Sequence, residues 1–145
     1  MQANLVSSKP RALIVEDETL IAEELKERLL LLGFSVIAAV DSGEEGIAIA
    51  TKERPDLVLM DIRLKGKKDG VQATKEIHQQ VDVPIVYLTA YSDRQTVDRA
   101  RGTDYDGFLL KPFRAGELQS TIQIAMRRHA IRLKEKEHSS KRPKS

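Results

Sequence analysis

The sequence predicts an α/β fold: a doubly wound, five-stranded parallel sheet with five helices. Two observations carry this. Short apolar runs alternate with amphipathic stretches along the whole chain, and the connections between them are short. The length of 145 residues, with 41% hydrophobic and 32% charged side chains, suits one soluble domain with a real core and short tails.

The elements follow in order. Residues 11–16 contain ALIVE, an apolar run suited to a strand buried on both faces. Leu20, Ile21, Leu25, Leu29 and Leu32 then recur at helical spacing among charged residues, a stripe read as core, and Gly33 stands where glycine stops helices. Residues 34–40 form a second strand. Ser42 and Glu45 match a capping box, and Ile47, Ala48 and Ala50 are placed on the inward face of the helix that follows. Pro55 ends that helix, and residues 56–60 make the third strand. A polar, basic loop covers 61–69, and a third helix spans 70–81 with Val71, Ala73, Ile77 and Val81 inward. Pro84 opens a strand over 85–88. Ser92 caps a weaker helix over 93–101, with Val97 and Ala100 inward. Residues 107–110 are the fifth strand, and the last helix runs from about Arg114 through Leu118, Ile122, Ala125, Met126 and Ile131.

Composition excludes several functions. Without cysteine there is no disulfide, thiolate catalysis or cysteine-based zinc site. Aromatic residues at 4% argue against a stacking platform for single-stranded nucleic acid. No apolar run approaches a membrane span and no signal-peptide stretch opens the chain, so a cytoplasmic setting is expected. Charge is uneven. Residues 127–145 carry eight Lys/Arg against Glu135 and Glu137, whereas residues 1–126 carry 16 basic and 20 acidic residues. Three segments are expected: a flexible tail over 1–10, a folded domain over 11–128, and a basic helix end and tail over 129–145. Such a tail is more often a solvated helix end or a linker stub than a nucleic-acid contact. His78, His129 and His138 show no ligand spacing and are expected to face solvent.

In open sheets of this kind, function gathers beyond the carboxyl ends of the strands. There the sequence places Glu16, Asp17 and Glu18 after the first strand and Asp61 after the third. Thr89 follows the fourth, and Lys111–Pro112 the fifth. Three crowded carboxylates resist joint ionisation, and a divalent cation relieves them. Magnesium takes such oxygen ligands, leaving one Asp61 oxygen to attack phosphorus. Lys111 and the Thr89 hydroxyl then balance charge on the transferred group. Glu18 reads better as an acid favouring the start of a helix.

The motifs IVEDE at 14–18, LVLMDIRL at 57–64, IVYLTA at 85–90 and FLLKPF at 108–113 resemble the receiver domain of response regulators, over roughly residues 11–128. The resemblance implies a flavodoxin-like fold, a magnesium ion, and phosphotransfer from a sensor histidine kinase or phosphotransfer protein. It also implies rearrangement of the face formed by the fourth helix, fifth strand and fifth helix, a surface open to homodimerisation. By position, Asp17 and Glu16 bind the metal, Asp61 is phosphorylated and Arg63 offers its backbone carbonyl. Thr89 is the switch hydroxyl, Lys111 pairs with phosphate, and the Lys111–Pro112 peptide is cis. Phe108 takes the aromatic switch position without a hydroxyl, so its states differ by packing alone. Arg63 and Tyr91 border the site. The loop KGKKDG departs from the family in lacking proline, and Lys65, Lys67 and Lys68 add a positive rim suited to steering phospho-donors or an acidic partner.

A dedicated enzyme is not expected. A phosphohydrolase of the haloacid-dehalogenase type needs Asp two residues after the nucleophile and Ser or Thr two further on, where this chain has Arg63 and Lys65. A nucleic-acid binder acting through the basic tail is the third reading, and neither nucleic acid nor membrane is expected as the main partner. The chain ends soon after the domain, so output is expected from a partner, from dimerisation or from a domain not in this chain.

Overall fold

The computed structural model describes residues 8–90 and 94–141. Most of the tail over 1–10 falls outside them, as do Tyr91, Ser92 and the His138 side chain. Five strands form one parallel sheet: β1 Arg11–Val15, β2 Ser35–Val40, β3 Leu57–Asp61, β4 Ile85–Ala90 and β5 Gly107–Lys111. Five helices alternate with them: α1 Thr19–Leu31, α2 Gly43–Glu53, α3 Gly70–Gln80, α4 Arg94–Ala100 and α5 Ala115–Lys141. The strand order is β2-β1-β3-β4-β5, so the chain reverses its direction of travel across the sheet after β2. Ligand sites in such sheets lie beside that reversal, above the ends of β1 and β3.

β1 and β3 are almost wholly buried because helices cover both faces, which explains their unbroken apolar runs. Alternate residues divide between two cores. Leu13, Val15, Val58, Met60, Ile85 and Tyr87 meet α2, α3 and α4 through Ala50, Ala73, Ile77 and Ala100. Ala12, Ile14, Leu57, Leu59, Val86 and Leu88 meet α1 and α5 through Leu25, Leu29, Leu118, Ile122 and Ala125. Asp56 and Arg11 fasten the lower edge, with Arg11 N–H donating to Asp56 Oδ2 at 2.7 Å and its guanidinium pairing with Glu53 at 2.9 Å.

Several inward assignments fail for one geometric reason. Leu20 is 85% exposed, because five residues separate it from Leu25 and turn it about 140° away. Ala48 is exposed by the same arithmetic, while Gly43, Gly46 and Ala50 make the inner face of α2. A Cβ on Gly46 would stand 2.8 Å from Val15 Cγ2, so glycine brings α2 close to β1. Ser42 does cap α2, accepting from Glu45 N–H at 3.2 Å, and Gly33 adopts φ +92 after α1.

The histidines and the basic helix end also differ from expectation. His78 is half-buried and bonds the Val83 carbonyl oxygen at 3.0 Å, and His129 lies 3.1 Å from Asp82 Oδ1. α5 runs unbroken past residue 128 and is tied to the sheet's lower edge. Arg132 pairs through both guanidinium nitrogens with Asp106, whose side chain is fully buried, and Lys136 reaches Asp82. Long-range partners decide this, and residue spacing cannot show them. Arg132→Ala should leave a buried carboxylate without its cation. A loss of about 2–3 kcal/mol in urea unfolding is expected, below the range for fully enclosed pairs because one side of Arg132 is open to solvent.

Candidate phosphoryl-acceptor site

Parallel register sets the site's floor. Val15 pairs with Met60, Asp61 with Leu88 and Ala90 with Lys111, so the residues ending or following four strands emerge at one level. Asp61 is the last residue of β3, and its position is fixed from three sides. Ile62 N–H donates to the Leu88 carbonyl at 3.0 Å, Gly70 N–H donates to the Ile62 carbonyl at 2.8 Å, and Arg63 N–H donates to Asp61 Oδ1 at 3.0 Å. Gly70 has to be glycine here. A Cβ would lie 2.1 Å from the Asp61 carbonyl oxygen, so the start of α3 rests directly on the backbone of the candidate acceptor.

Charge is concentrated and buried. Glu16 is 2% exposed and Asp61 3% exposed. Lys111 Nζ lies 2.7 Å from Glu16 Oε1, 3.4 Å from Asp61 Oδ2 and 3.5 Å from Glu18 Oε1. Lys111 pairs with Glu16 Oε1 by charge, and that buried oxygen has no hydrogen-bond partner among the described residues. Glu16 Oε2 accepts from Glu18 N–H at 3.0 Å, which orients the carboxylate. Asp17 Oδ2 accepts from Lys65 N–H at 3.2 Å, tying the β1–α1 turn to the β3–α3 loop.

Burial, with hydrogen bonding and repulsion from Glu16 added, pushes the Asp61 pKa from its ordinary 3.8 to about 8, against the pull of Lys111 and the Arg63 N–H. Burial opposes the Lys111 charge, but Glu16, Asp61 and Glu18 outweigh it and hold the ammonium above its ordinary pKa.

The residues present fit a divalent cation. One carboxylate oxygen from each of Glu16, Asp17 and Asp61 lies within 4.8 Å of the others, and Glu16 contributes the orphaned buried oxygen. A hard cation with oxygen ligands matches that donor set.

The other expected residues are near but differently engaged. Thr89 is buried, with its hydroxyl 3.3 Å from the Ala90 carbonyl oxygen. Phe108 is half-buried and meets Tyr87 and Tyr105 edge-on, at ring-centroid distances of 6.2 and 5.9 Å. Pro112 is exposed and follows a cis peptide.

The cleft is also lined by Glu18, Leu64, Lys65 and Asp69. In the sequence Asp69 stands in the loop KGKKDG, where the resemblance sets Asp69-Gly70 one residue further along than in the family. It forms a full capping box with Gln72 at the start of α3, a D-x-x-Q signal legible in the sequence. It also accepts from Arg99 of α4 at 2.6 Å, a contact 30 residues away with no local signal. Burial raises the Asp69 pKa, but Arg99 and the Gln72 N–H lower it further, so it stays below the ordinary carboxylate range.

These features define a receiver domain. Residues 12–123 match the response regulator receiver domain family, and the chain belongs to it. It is thus a receiver domain of two-component response regulators, a class that works by phosphorylation-dependent switching. Transcriptional regulatory protein PdtaR of Mycobacterium tuberculosis is 39% identical over 118 residues, covering 81% of this chain and 57% of that protein. The chain spans about half the length of the curated relatives it matches.

Among solved structures, the signal receiver domain of a modulated diguanylate cyclase from Desulfovibrio desulfuricans superposes with a TM-score of 0.81 at 35% identity. That match covers 86% of this chain and 99% of the other. The receiver domain of a Pseudomonas aeruginosa sensor histidine kinase, solved with magnesium coordinated in its active-site cleft, gives 0.74 at 32%, covering 82% and 98%. No helix among the described residues is long and apolar enough to cross a membrane.

The raised Asp61 pKa fixes a sign. Between about pH 4 and pH 8 the folded chain holds that proton more tightly than the unfolded chain, so its contribution to stability is lost as pH rises through this window. Asp61→Asn should therefore melt higher than the parent in chelator, by a margin that grows from about pH 5 to about pH 8. Thermal unfolding at several pH values checks it.

Proposed function

We propose that Asp61 accepts a phosphoryl group with magnesium bound by Glu16, Asp17 and Asp61 and completed by the Arg63 carbonyl, and that the sensor histidine kinase or phosphotransfer protein of a two-component pair supplies it. One observation carries the reading: a buried carboxylate at the end of β3 faces a fixed ammonium and two more carboxylates, beside the reversal in strand order. Magnesium, when bound, neutralises the crowded carboxylates and draws phosphoryl oxygens to itself.

The chain's own residues do the rest. The Arg63 N–H holds Asp61 Oδ1, which leaves Oδ2 toward Lys111. Lys111 offsets charge that builds on the phosphoryl oxygens, and its own pairing with Glu16 keeps it in place. The phosphoryl group brings about two negative charges and three acceptor oxygens, while its bond to Asp61 takes up the carboxylate's own charge. Thr89, near the end of β4 and with its hydroxyl donating to the Ala90 carbonyl, supplies the hydroxyl that would answer them. Phe108, Lys111–Pro112 and the face formed by α4, β5 and α5 carry the change outward to a partner or a second copy. The folded receiver in this reading starts at about residue 11 and runs past 128 to include the part of α5 that carries His129 and Arg132, in a cytoplasmic setting.

Incubation with magnesium and acetyl phosphate should add about 80 Da, one phosphoryl group, to the intact mass of the parent. Asp61→Asn should gain nothing. A folded parent that stays unlabelled would remove the acceptor role. Magnesium should also raise the parent's melting temperature, and Glu16→Gln should reduce that rise by at least half, because it removes one of three ligating charges.

A further inference from the structure

The lysines of the β3–α3 loop stand outside the chemistry above, yet the fold holds them in place. The loop is pinned at both ends. Lys65 N–H donates to Asp17 Oδ2, and Lys68 Nζ pairs with Glu76 at 2.7 Å. Between them Gly66 turns the chain back at φ +103, a conformation that side chains rarely adopt. At the far end the Lys68 carbonyl lies 2.8 Å from where a Cβ on Gly43 would stand, so the start of α2 closes against the loop. Lys68 is thereby committed to Glu76. Lys65 and Lys67 are exposed and have no acidic partner among the described residues.

Their placement bears on the donor. Lys65 lines the same cleft as Asp61 and Lys111. Lys111 sits deep, paired with Glu16 and Asp61, and is suited to the phosphoryl group itself. Lys65 is exposed at the cleft, and Lys67 is exposed two residues on, across the Gly66 turn, so both are open to the part of a donor that lies outside the cleft. Charges lining a cleft mouth raise the local concentration of ions of opposite sign and so the rate of encounter. A loop already fixed in shape adds this without an ordering cost at each encounter.

We propose that Lys65 and Lys67 select the phospho-donor, favouring one that carries a second negative charge beside the transferred phosphoryl group. This rests on Asp61 as the acceptor. In the transfer an Asp61 oxygen forms the new bond to phosphorus and the donor's own bond to phosphorus breaks, its electron pair leaving on the imidazole nitrogen of a phosphohistidine or on the carboxylate of an acyl phosphate. The lysines form no bond in that step and act as specificity residues.

Two acyl phosphates separate this effect from the chemistry: acetyl phosphate, and 1,3-bisphosphoglycerate, which bears a second phosphate. Both are given to the full chain with magnesium, and labelling is followed by intact mass. At low ionic strength the parent should label faster with the bisphosphate, by about threefold to tenfold, and the preference should shrink at about 0.5 M salt. Lys65→Gln with Lys67→Gln should bring the ratio of the two rates close to one, because the bisphosphate rate falls further than the acetyl phosphate rate. Lys134→Gln, on the distant part of α5, should leave the ratio as in the parent. The ratio is internal to each variant, so a partly unfolded sample does not distort it. Equal rates in the parent, or a ratio unmoved in the double variant, would overturn the proposal. Failure of both donors to label the parent would instead remove the acceptor role on which it rests.

Discussion

The structure depends on the enclosure of Glu16 and Asp61 at the ends of two central strands, with one lysine between them. Burial raises the pKa of Asp61, and the neighbouring Glu16 carboxylate raises it further, because two enclosed carboxylates cannot both be ionised cheaply. Lys111 relieves part of the conflict from β5, two strands away from β3. The remaining tension is what a cation would relieve, and in the proposed reading it leaves Asp61 the acceptor. A better neutralised cluster would be more stable and chemically inert.

That tension is contained by backbone contacts that leave Asp61 little freedom. The start of α3 rests on the Asp61 carbonyl at Gly70, and Asp69 caps the same helix while lining the cleft. Through Asp69 the site touches α4, because Arg99 binds the capping carboxylate. A second polar chain reaches the same place from β4. The Tyr87 hydroxyl lies 2.7 Å from the Thr103 hydroxyl, which donates to the Ala100 carbonyl at 2.6 Å. α4 buries Ala100 and half-buries Val97, so these two polar links weigh heavily in its position. Charge arriving at Asp61 therefore acts on a helix held more by polar links than by apolar packing.

The sequence shows the sheet and the acid cluster because both rest on local signals. Unbroken apolar runs mark strands covered on both sides, and each site residue stands where a run ends. Leu20 and Ala48 show the limit of reading apolar residues without counting the helical angle between them. His129, Arg132 and Arg99 show a deeper limit. Each gains its role from an acid 26 to 47 residues away, and no spacing within its own helix reports that partner. Asp106 reads as a polar residue before a strand. It is buried because α5, extended past residue 128, brings Arg132 over it.

These contacts leave β5 held by charge at both of its ends. Lys111 is fixed above the sheet by Glu16 and Asp61, and Asp106, one residue before the strand, is fixed below it by Arg132. Ile85 N–H also donates to Asp106 Oδ2, at 3.3 Å, so the lower clamp includes β4. A strand pinned in this way resists sliding along its own axis when the charge around Lys111 changes. α5 shares that restraint, since Leu118, Ile122 and Ala125 pack on the sheet and Arg132 binds the lower clamp. The compliant part of the face is then α4, whose polar links are exposed or half-buried and whose partner Asp69 lines the cleft. If Asp61 is the acceptor, the charges that hold β5 and α5 at both ends leave α4, with its small apolar anchor among the described residues, as the element that answers a change there.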